Sequence, residues 1–209
     1  MQRTDLQDTD YEALLSRIVP IMLSNGLKST TMDNVAAELG MSKRTLYEIF
    51  GSKSDMLREA LEQLERQSRK YYVKVFEESD NIMEALFKVF KYNRDLTKDV
   101  NPDFYHDMDR LYQDKRKEFD QIRAKRHEEM LKVYKIGVDQ GMFRPDADYP
   151  ILSRMMGIQM EALKRNEELF SSEISLQRVF DAIIVGHLRS IASEKGMRIL
   201  DKLTNEIKK

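Results

Sequence analysis

The sequence predicts an all-α fold, and three observations support this fold class. Residues that favour helices (Leu, Met, Glu, Lys and Arg) are abundant, whereas Pro and Gly number only 4 and 8 among 209 residues. Apolar residues recur every three or four positions along most of the chain, which is the period of an amphipathic helix. No stretch of alternating β-branched residues bounded by turn signals is found, so no strand is predicted.

Four helices are predicted in the N-terminal third of the chain. The first helix ends at Gly26 and contains Pro20, which has no N–H to donate to Ser16, so we expect a kink there. Thr31 and Ser42 are placed to cap the second and third helices. The four predicted ranges are approximately 11–25, 32–39, 43–50 and 53–78.

The rest of the chain is predicted to consist of further amphipathic helices. The clearest breaks between them are Asn101-Pro102 and the segment from Gly141 to Pro145, because both contain turn-forming residues. The predicted ranges are approximately 82–98, 102–113, 115–140, 149–170, 176–194 and 197–207.

Composition excludes several functional classes. Lys and Arg (35) nearly balance Asp and Glu (36), so net charge alone does not indicate a polyanionic partner. The chain has no Cys, its three His residues are scattered, and no catalytic motif is found, so no metal, cofactor or catalytic residue is predicted. The first ten residues lack the apolar centre of a signal peptide, and no apolar run approaches the roughly 20 residues of a membrane span. We therefore expect a cytoplasmic protein with no membrane partner.

The segment from Met32 to Phe50 predicts two short helices that cross at a steep angle, as in a helix-turn-helix. Ala36 is small enough for the two helices to touch, and Gly40 tolerates the positive φ that the turn requires. An apolar wedge between the helices is supplied by Val35, Leu39, Met41, Leu46 and Ile49. Because these residue types occur at mutually consistent spacings, the segment strongly favours a helix-turn-helix.

The exposed face of the second helix of this motif carries candidate DNA contacts. Cations at its start can donate to guanine O6 and N7, and a threonine methyl there can contact a thymine methyl. A tyrosine hydroxyl and the N–H groups at two helix starts can bind phosphate oxygens, with a lysine ammonium adding charge. The candidate DNA-binding residues are Thr31, Ser42, Lys43, Arg44, Thr45, Tyr47 and Lys53.

At these positions the chain resembles the TetR family of bacterial repressors. The resemblance is specific over about residues 14–61, and it implies phosphate contacts for Thr31, Tyr47 and Lys53, with base contacts from the start of the third helix. It further implies a homodimeric repressor that binds double-stranded DNA and releases it when a small molecule occupies a C-terminal pocket. The matching residues are Thr30-Thr31-Met32, Val35-Ala36, Leu39-Gly40-Met41-Ser42, Thr45-Leu46-Tyr47, Phe50, Ser52-Lys53 and Leu57.

The predicted organisation follows from the motif and the resemblance together. Residues 1–9 are expected to form a disordered tail, and residues 10–52 a three-helix, helix-turn-helix DNA-binding domain. The long helix then begins a helical effector-binding and dimerisation domain, residues 53–209. In that domain, methionines and aromatic residues are mainly core, but some can line a pocket for a small apolar or aromatic effector. The candidate pocket residues are Tyr105, Tyr112, Tyr134, Met156 and Gln159.

The last two long helices carry more apolar surface than a peripheral helix pair can bury within one subunit. Pairing with the same helices of a second subunit would form a four-helix bundle. A two-fold dimer would also present its two recognition helices to a near-palindromic site. The predicted interface residues are Ile158, Val179, Ile183, Ile184, His187 and Ile191.

Two other classes of protein remain open at this point. The first is a helical protein-interaction module whose helix-turn-helix is structural and has no affinity for DNA; a salt-titrated DNA-binding assay separates it from a regulator. The second is an enzyme built on a helical bundle. An enzyme of that kind would require a metal or cofactor, and since the sequence offers no ligand pattern for one, no enzymatic activity is predicted.

Overall fold

A computed structural model describes residues 7–101, 103, 104, 107, 108, 116–165 and 174–207 of the chain. Their contacts group into two compact units. The first unit comprises Met1–Tyr72 with Asp99–Leu111, and the second comprises Val73–Lys98 with Tyr112–Lys209. The domain boundary expected between residues 52 and 53 stays a prediction, because the long helix that follows it belongs in part to each unit.

The first unit contains the helices predicted for the N-terminal third of the chain. α1 begins inside the segment expected to be a disordered tail, because the Gln7 carbonyl accepts the N–H groups of Asp10 and Tyr11 at 3.0 Å. The negative charges of Asp8 and Asp10 also favour a helix N-terminus. Pro20 lies within α1, which continues to its predicted end. The observed helices are α1 (Asp8–Asn25), α2 (Met32–Leu39), α3 (Lys43–Phe50) and α4 (Lys53–Glu78).

Apolar side chains from α1 to α4 form the core of the first unit. The wedge expected between α2 and α3 is buried, with Val35 and Leu46 fully inaccessible, except that Met41 is half-buried. Ile18 and Met22 of α1 and Met56 of α4 are equally buried and belong to the same cluster. Because these contacts hold α3 by one face, they determine which of its side chains point into solvent.

The second unit contains the end of α4 and the remaining described helices. α5 ends at Leu96, two residues before its predicted end. The helix predicted over 102–113 lies largely outside the described residues, as does the predicted end of the next-to-last long helix at residue 170. The observed helices are α5 (Ile82–Leu96), α6 (Arg116–Asp139), α7 (Tyr149–Arg165), α8 (Leu176–Ile191) and α9 (Glu194–Ile207).

The last two helices differ from the sequence prediction. α8 ends at Ile191 rather than near residue 194, because Ala192 is extended and forms an isolated bridge with Phe143. Ser193 then begins α9 three residues early by accepting the N–H of Gly196 on its Oγ at 3.0 Å. At Gly196 a Cβ would lie 2.1 Å from the carbonyl oxygen of Met142, so only glycine allows this approach.

The core of the second unit is built from α5 to α9. Its fully or nearly fully buried members include Met83, Tyr134, Phe143, Ile191 and Leu200. The all-α fold with an N-terminal helix-turn-helix is thus confirmed, and the described residues form isolated β-bridges but no strand. Within the same part of the chain, no helix combines the length and the apolar character that crossing a membrane would require.

Candidate DNA-binding surface and effector cavity

The turn between α2 and α3 has the geometry that its sequence requires. Gly40 adopts the left-handed conformation, with φ 67° and ψ 31°, which a residue with a Cβ adopts only at a cost. The Met41 N–H then donates to the carbonyl of Ala36 at 2.9 Å and ends α2. Ala36 is buried where the two helices meet. This turn, together with the buried wedge, orients α3 with its N-terminal residues exposed.

Both helices of the motif are capped by the hydroxyl residues expected from the sequence. The Thr31 Oγ1 accepts the N–H of Asn34 at 3.2 Å, and the Asn34 Oδ1 accepts the N–H of Thr31 at 2.7 Å. Ser42 Oγ accepts the N–H of Thr45 at 3.0 Å, and the two hydroxyl oxygens lie 2.7 Å apart. Thr31 and Ser42 are exposed, so their hydroxyl groups lie at the surface beside the helix starts.

The two cations at the start of α3 are paired with acidic side chains. The Nζ of Lys43 lies 2.7 Å from Asp33 Oδ2 on α2, and the Nε of Arg44 lies 2.8 Å from Glu48 Oε1 one turn further along α3. Hydrogen bonding to Asp33 raises the pKa of Lys43, and the Arg44–Glu48 pair raises the pKa of the guanidinium and lowers that of the carboxyl. Arg44 remains 88% exposed, so its remaining donors face solvent.

Tyr47 is the large aromatic residue that α3 presents to solvent. Its side chain is 45% exposed, whereas Leu46, Ile49 and Phe50 on the opposite face are buried. A tyrosine in this position offers an apolar ring and a hydroxyl group to a DNA backbone. Thr45 is half-buried beside it.

Lys53, at the first position of α4, lies against the turn that follows α1. Its Nζ donates to the carbonyl oxygen of Lys28 at 2.8 Å, while the Lys28 N–H donates to Asp107 Oδ2 at 2.7 Å. Partial burial lowers the pKa of Lys53, and the nearby negative charge of Asp107 opposes this effect. The ammonium group and the α4 N-terminus therefore form one positive site with a carboxylate beside it.

Sequence reasoning did not identify the acidic partners of these cations. The Arg44–Glu48 spacing of four residues on a helix is a signal that could have been used. The pairing of Lys43 with Asp33 depends on the angle between α2 and α3. The bond from the backbone N–H of Lys28 to Asp107, the carboxylate near Lys53, joins residues 79 apart in the sequence. No local pattern predicts either contact.

A cavity of about 130 Å³ lies in the second unit. Two of the predicted pocket residues, Tyr134 and Met156, line it. Gln159 is exposed and does not line it, and Tyr105 and Tyr112 lie outside the described residues. The described lining residues are Leu86, Val89, Phe90, Asn93, Met130, Tyr134, Met156, Phe180, Ile184, His187 and Leu188.

The predicted dimer-interface residues occupy three different environments. Ile158 on α7 is 69% exposed, in line with an interface role. Ile184 and His187 line the cavity, and Ile191 is fully buried in the core, so these three side chains face the interior of their own subunit. Val179 and Ile183 are half-buried and pack against the core of the second unit. Among the described residues, no group of three or more His, Cys, Asp or Glu is arranged to hold a metal ion.

The helix-turn-helix segment matches a known protein family. Residues 15–60 match the model of the bacterial regulatory proteins of the tetR family, and these residues span α1 from Leu15 through the helix-turn-helix into α4. This N-terminal segment of the chain is therefore similar to the DNA-binding part of TetR family transcriptional regulators. The resemblance noted in the sequence is thereby confirmed. Among curated protein sequences, none matches the chain.

Solved structures extend the similarity of fold to nearly the whole chain. A ketosteroid transcriptional regulator of Mycobacterium tuberculosis is 19% identical, with a TM-score of 0.56 over 90% of this chain and 98% of its own. A transcriptional regulator of Saccharomonospora viridis, solved with choline, is 19% identical, with a TM-score of 0.61 over 90% and 100%. The TetR family regulator CifR, solved with 26-base-pair operator DNA, is 16% identical, with a TM-score of 0.55 over 88% and 98%.

Proposed function

We propose that the protein is a homodimeric repressor that binds a near-palindromic operator and leaves it when a small uncharged molecule occupies the second unit. The observation that carries this proposal is the start of α3, where exposed Arg44 and Tyr47 project from a rigid helix-turn-helix. Arg44 and Lys43 are the proposed base-reading residues, assisted by Thr45. Thr31, Ser42 and Lys53, at helix starts where N–H groups face the anion, and Tyr47, on the exposed face of α3, are the proposed phosphate contacts.

Exposed apolar residues on α7 support dimerisation. Ile151, Met155 and Ile158 are 52%, 50% and 69% exposed, and their spacing of four and three residues places them on one stripe of the helix. Ala182 and Gly186, four residues apart on α8, are also exposed, and such small residues allow another helix to approach closely. We propose that α7 and α8 of two subunits pack through these positions, with Ile158 central.

The cavity of the second unit supports a response to an effector. It lies among α5 to α8, and α4 is shared by both units as one uninterrupted helix. A ligand that favours one arrangement of α4 would shift the equilibrium only by its difference in affinity for the two states. A coupling of about 1–3 kcal/mol would reduce operator affinity several-fold to a hundredfold.

The proposal is tested by selecting DNA from a random pool with the purified protein and measuring anisotropy of the selected duplex across a salt series. We expect a near-palindromic site bound far more tightly than scrambled DNA at every salt concentration. Any compound that raises the melting temperature should then weaken binding to this site. If the protein bound neither selected nor scrambled DNA, the interaction-module alternative would replace the repressor, and equal binding to both would contradict a specific operator.

A further inference from the structure

The cavity of the second unit is apolar over most of its wall. Side chains such as Leu86, Phe90, Phe180 and Leu188 line it, and no Asp, Glu, Lys or Arg is among the described lining residues. The ion pair between Arg94 and Asp181, with 2.8 Å between Nε and Oδ1, lies on the neighbouring turns of α5 and α8 but does not line the cavity. A charged ligand would therefore lose its hydration without gaining a counter-ion.

One hydrogen-bonded pair of side chains supplies polar atoms in this otherwise apolar lining. The Oη of Tyr134 on α6 lies 2.7 Å from the Nε2 of His187 on α8, and both residues line the cavity. Burial raises the pKa of Tyr134 and lowers that of His187, so both groups are neutral near pH 7. A neutral hydroxyl–imidazole pair can reverse the direction of its hydrogen bond, and its hydroxyl can then either accept from a ligand or donate to it.

The volume of the cavity limits what can enter. Apolar cavities of about 150 Å³ in other proteins stay dry and bind a single benzene molecule. At about 130 Å³, the cavity here has room for one six-membered ring. Phe90 and Phe180, whose rings stack with centroids 5.7 Å apart, provide an aromatic wall against which such a ring can pack.

We propose that the cavity binds an uncharged single-ring compound bearing one hydroxyl or carbonyl group, which hydrogen-bonds to the Tyr134–His187 pair. This inference rests on the proposed effector response and adds the chemical class of the effector. It predicts selection by charge as well as by size: phenol and benzaldehyde belong to the class, whereas benzoate and benzylamine do not.

The test measures the affinity of the full-length protein for phenol, toluene, benzoate and benzylamine by calorimetric titration and by the shift in melting temperature. The key variant is Tyr134→Phe combined with His187→Leu, since replacing both partners of a hydrogen bond by apolar groups of similar shape preserves folding best. Tyr149→Phe is the matched control: Tyr149 stacks on Tyr134 with ring centroids 4.9 Å apart, but it does not line the cavity.

We expect phenol and toluene to bind the parent and the Tyr149→Phe control, and neither charged compound to bind. In the double variant, the ratio of phenol affinity to toluene affinity should fall about threefold to tenfold, the loss of one hydrogen bond. The proposal is overturned if benzoate binds as tightly as phenol, if the ratio is unchanged in the double variant, or if phenol does not bind the parent.

A parallel measurement of operator affinity separates this proposal from the one on which it rests. If phenol binds with the expected pattern but operator affinity does not change, the ligand class stands and the effector response is wrong. If phenol does not bind, yet another class of stabilising compound releases the operator, the ligand class is wrong and the effector response stands.

Discussion

Arg44 and Lys43, the cations best placed to read bases, each have an acidic partner in the DNA-free protein. Exposed ion pairs of this kind contribute little to stability, and the partners are therefore easily exchanged for phosphates or base edges. Their main effect is on DNA: Asp33 and Glu48 reduce the positive potential of the α2–α3 surface. Binding should consequently depend on correct base contacts more than on general attraction to the backbone.

The ion pair between Arg44 and Glu48 predicts how Glu48→Gln changes DNA affinity. Removing the carboxylate leaves Arg44 without its ionic partner and removes a negative charge from the DNA-facing side of α3. We expect affinity for scrambled DNA to rise about twofold to fivefold, and the preference for the selected operator to fall accordingly. Glu38→Gln, which makes the same change of charge at an exposed position on α2, is the control in the anisotropy assay. Equal effects of the two variants would show that Glu48 acts only through net charge.

At the scale of single elements, the segment around Asp107 brings a negative charge to a proposed phosphate contact. Its carboxylate accepts the Lys28 N–H at 2.7 Å, and Lys53 donates to the carbonyl of the same residue. Nearby, Phe104 is buried in the core of the first unit and Asn101 donates its N–H to Leu23 at 2.8 Å. These contacts hold the carboxylate where it opposes an approaching phosphate.

Asp107→Asn is therefore expected to strengthen DNA binding. The amide oxygen still accepts the Lys28 N–H, so the turn is kept, while the repulsion of phosphate is removed. Affinity should rise by a similar factor, about twofold to fivefold, for selected and scrambled DNA alike, since phosphate contacts carry no sequence information. Asp103→Asn, on the same segment and exposed, is the control. Unchanged affinity for both DNAs would exclude an electrostatic role for Asp107.

The elements also show what the sequence could and could not predict. The bounds of α2 and α3 follow from Thr31, Gly40 and Ser42, whose capping and turn preferences act within a few residues, and these bounds were predicted correctly. The end of α8 depends instead on the bridge between Ala192 and Phe143, which are far apart in the sequence, and this boundary was predicted wrongly. Local sequence signals were therefore sufficient to predict the helix-turn-helix, but not the contacts that only tertiary packing creates.

The apolar stripe of α8 illustrates the same limit for the candidate sites. Periodicity shows that Ile184, His187 and Ile191 share a face, but it cannot say whether that face meets a cavity, a core or another subunit. In the structure this face points inward, because Tyr134 bonds to His187 and Ile191 is enclosed by the core. The surface proposed for a partner lies at Ile151, Met155 and Ile158 on α7 and at the exposed Ala182 and Gly186 of α8.

At the scale of the whole molecule, Ile158→Asp tests the dimer. A charge at the centre of an apolar interface would be buried without a partner, so we expect the variant to sediment as a monomer with greatly weakened operator binding. Ile136→Asp is the control, since Ile136 is also an exposed isoleucine, 44% accessible, but belongs to α6, which is not part of the proposed interface. A parent protein that is monomeric at micromolar concentration, or an Ile158→Asp variant that remains a dimer, would contradict the proposed interface.

Sequence-specific reading of DNA by α3 is the central claim, and the binding of Arg44→Ala to the selected operator tests it most directly. The comparison is with Lys53→Ala, which alters a proposed phosphate contact, in the same anisotropy assay across a salt series. We predict that Arg44→Ala loses about tenfold to a hundredfold in affinity for the operator and tolerates substitution at one base position. Lys53→Ala should weaken binding to all sequences and flatten the salt dependence. If Arg44→Ala bound the operator as tightly and as selectively as the parent, α3 would not read the base sequence through Arg44, and the proposed DNA-reading role of α3 would be contradicted.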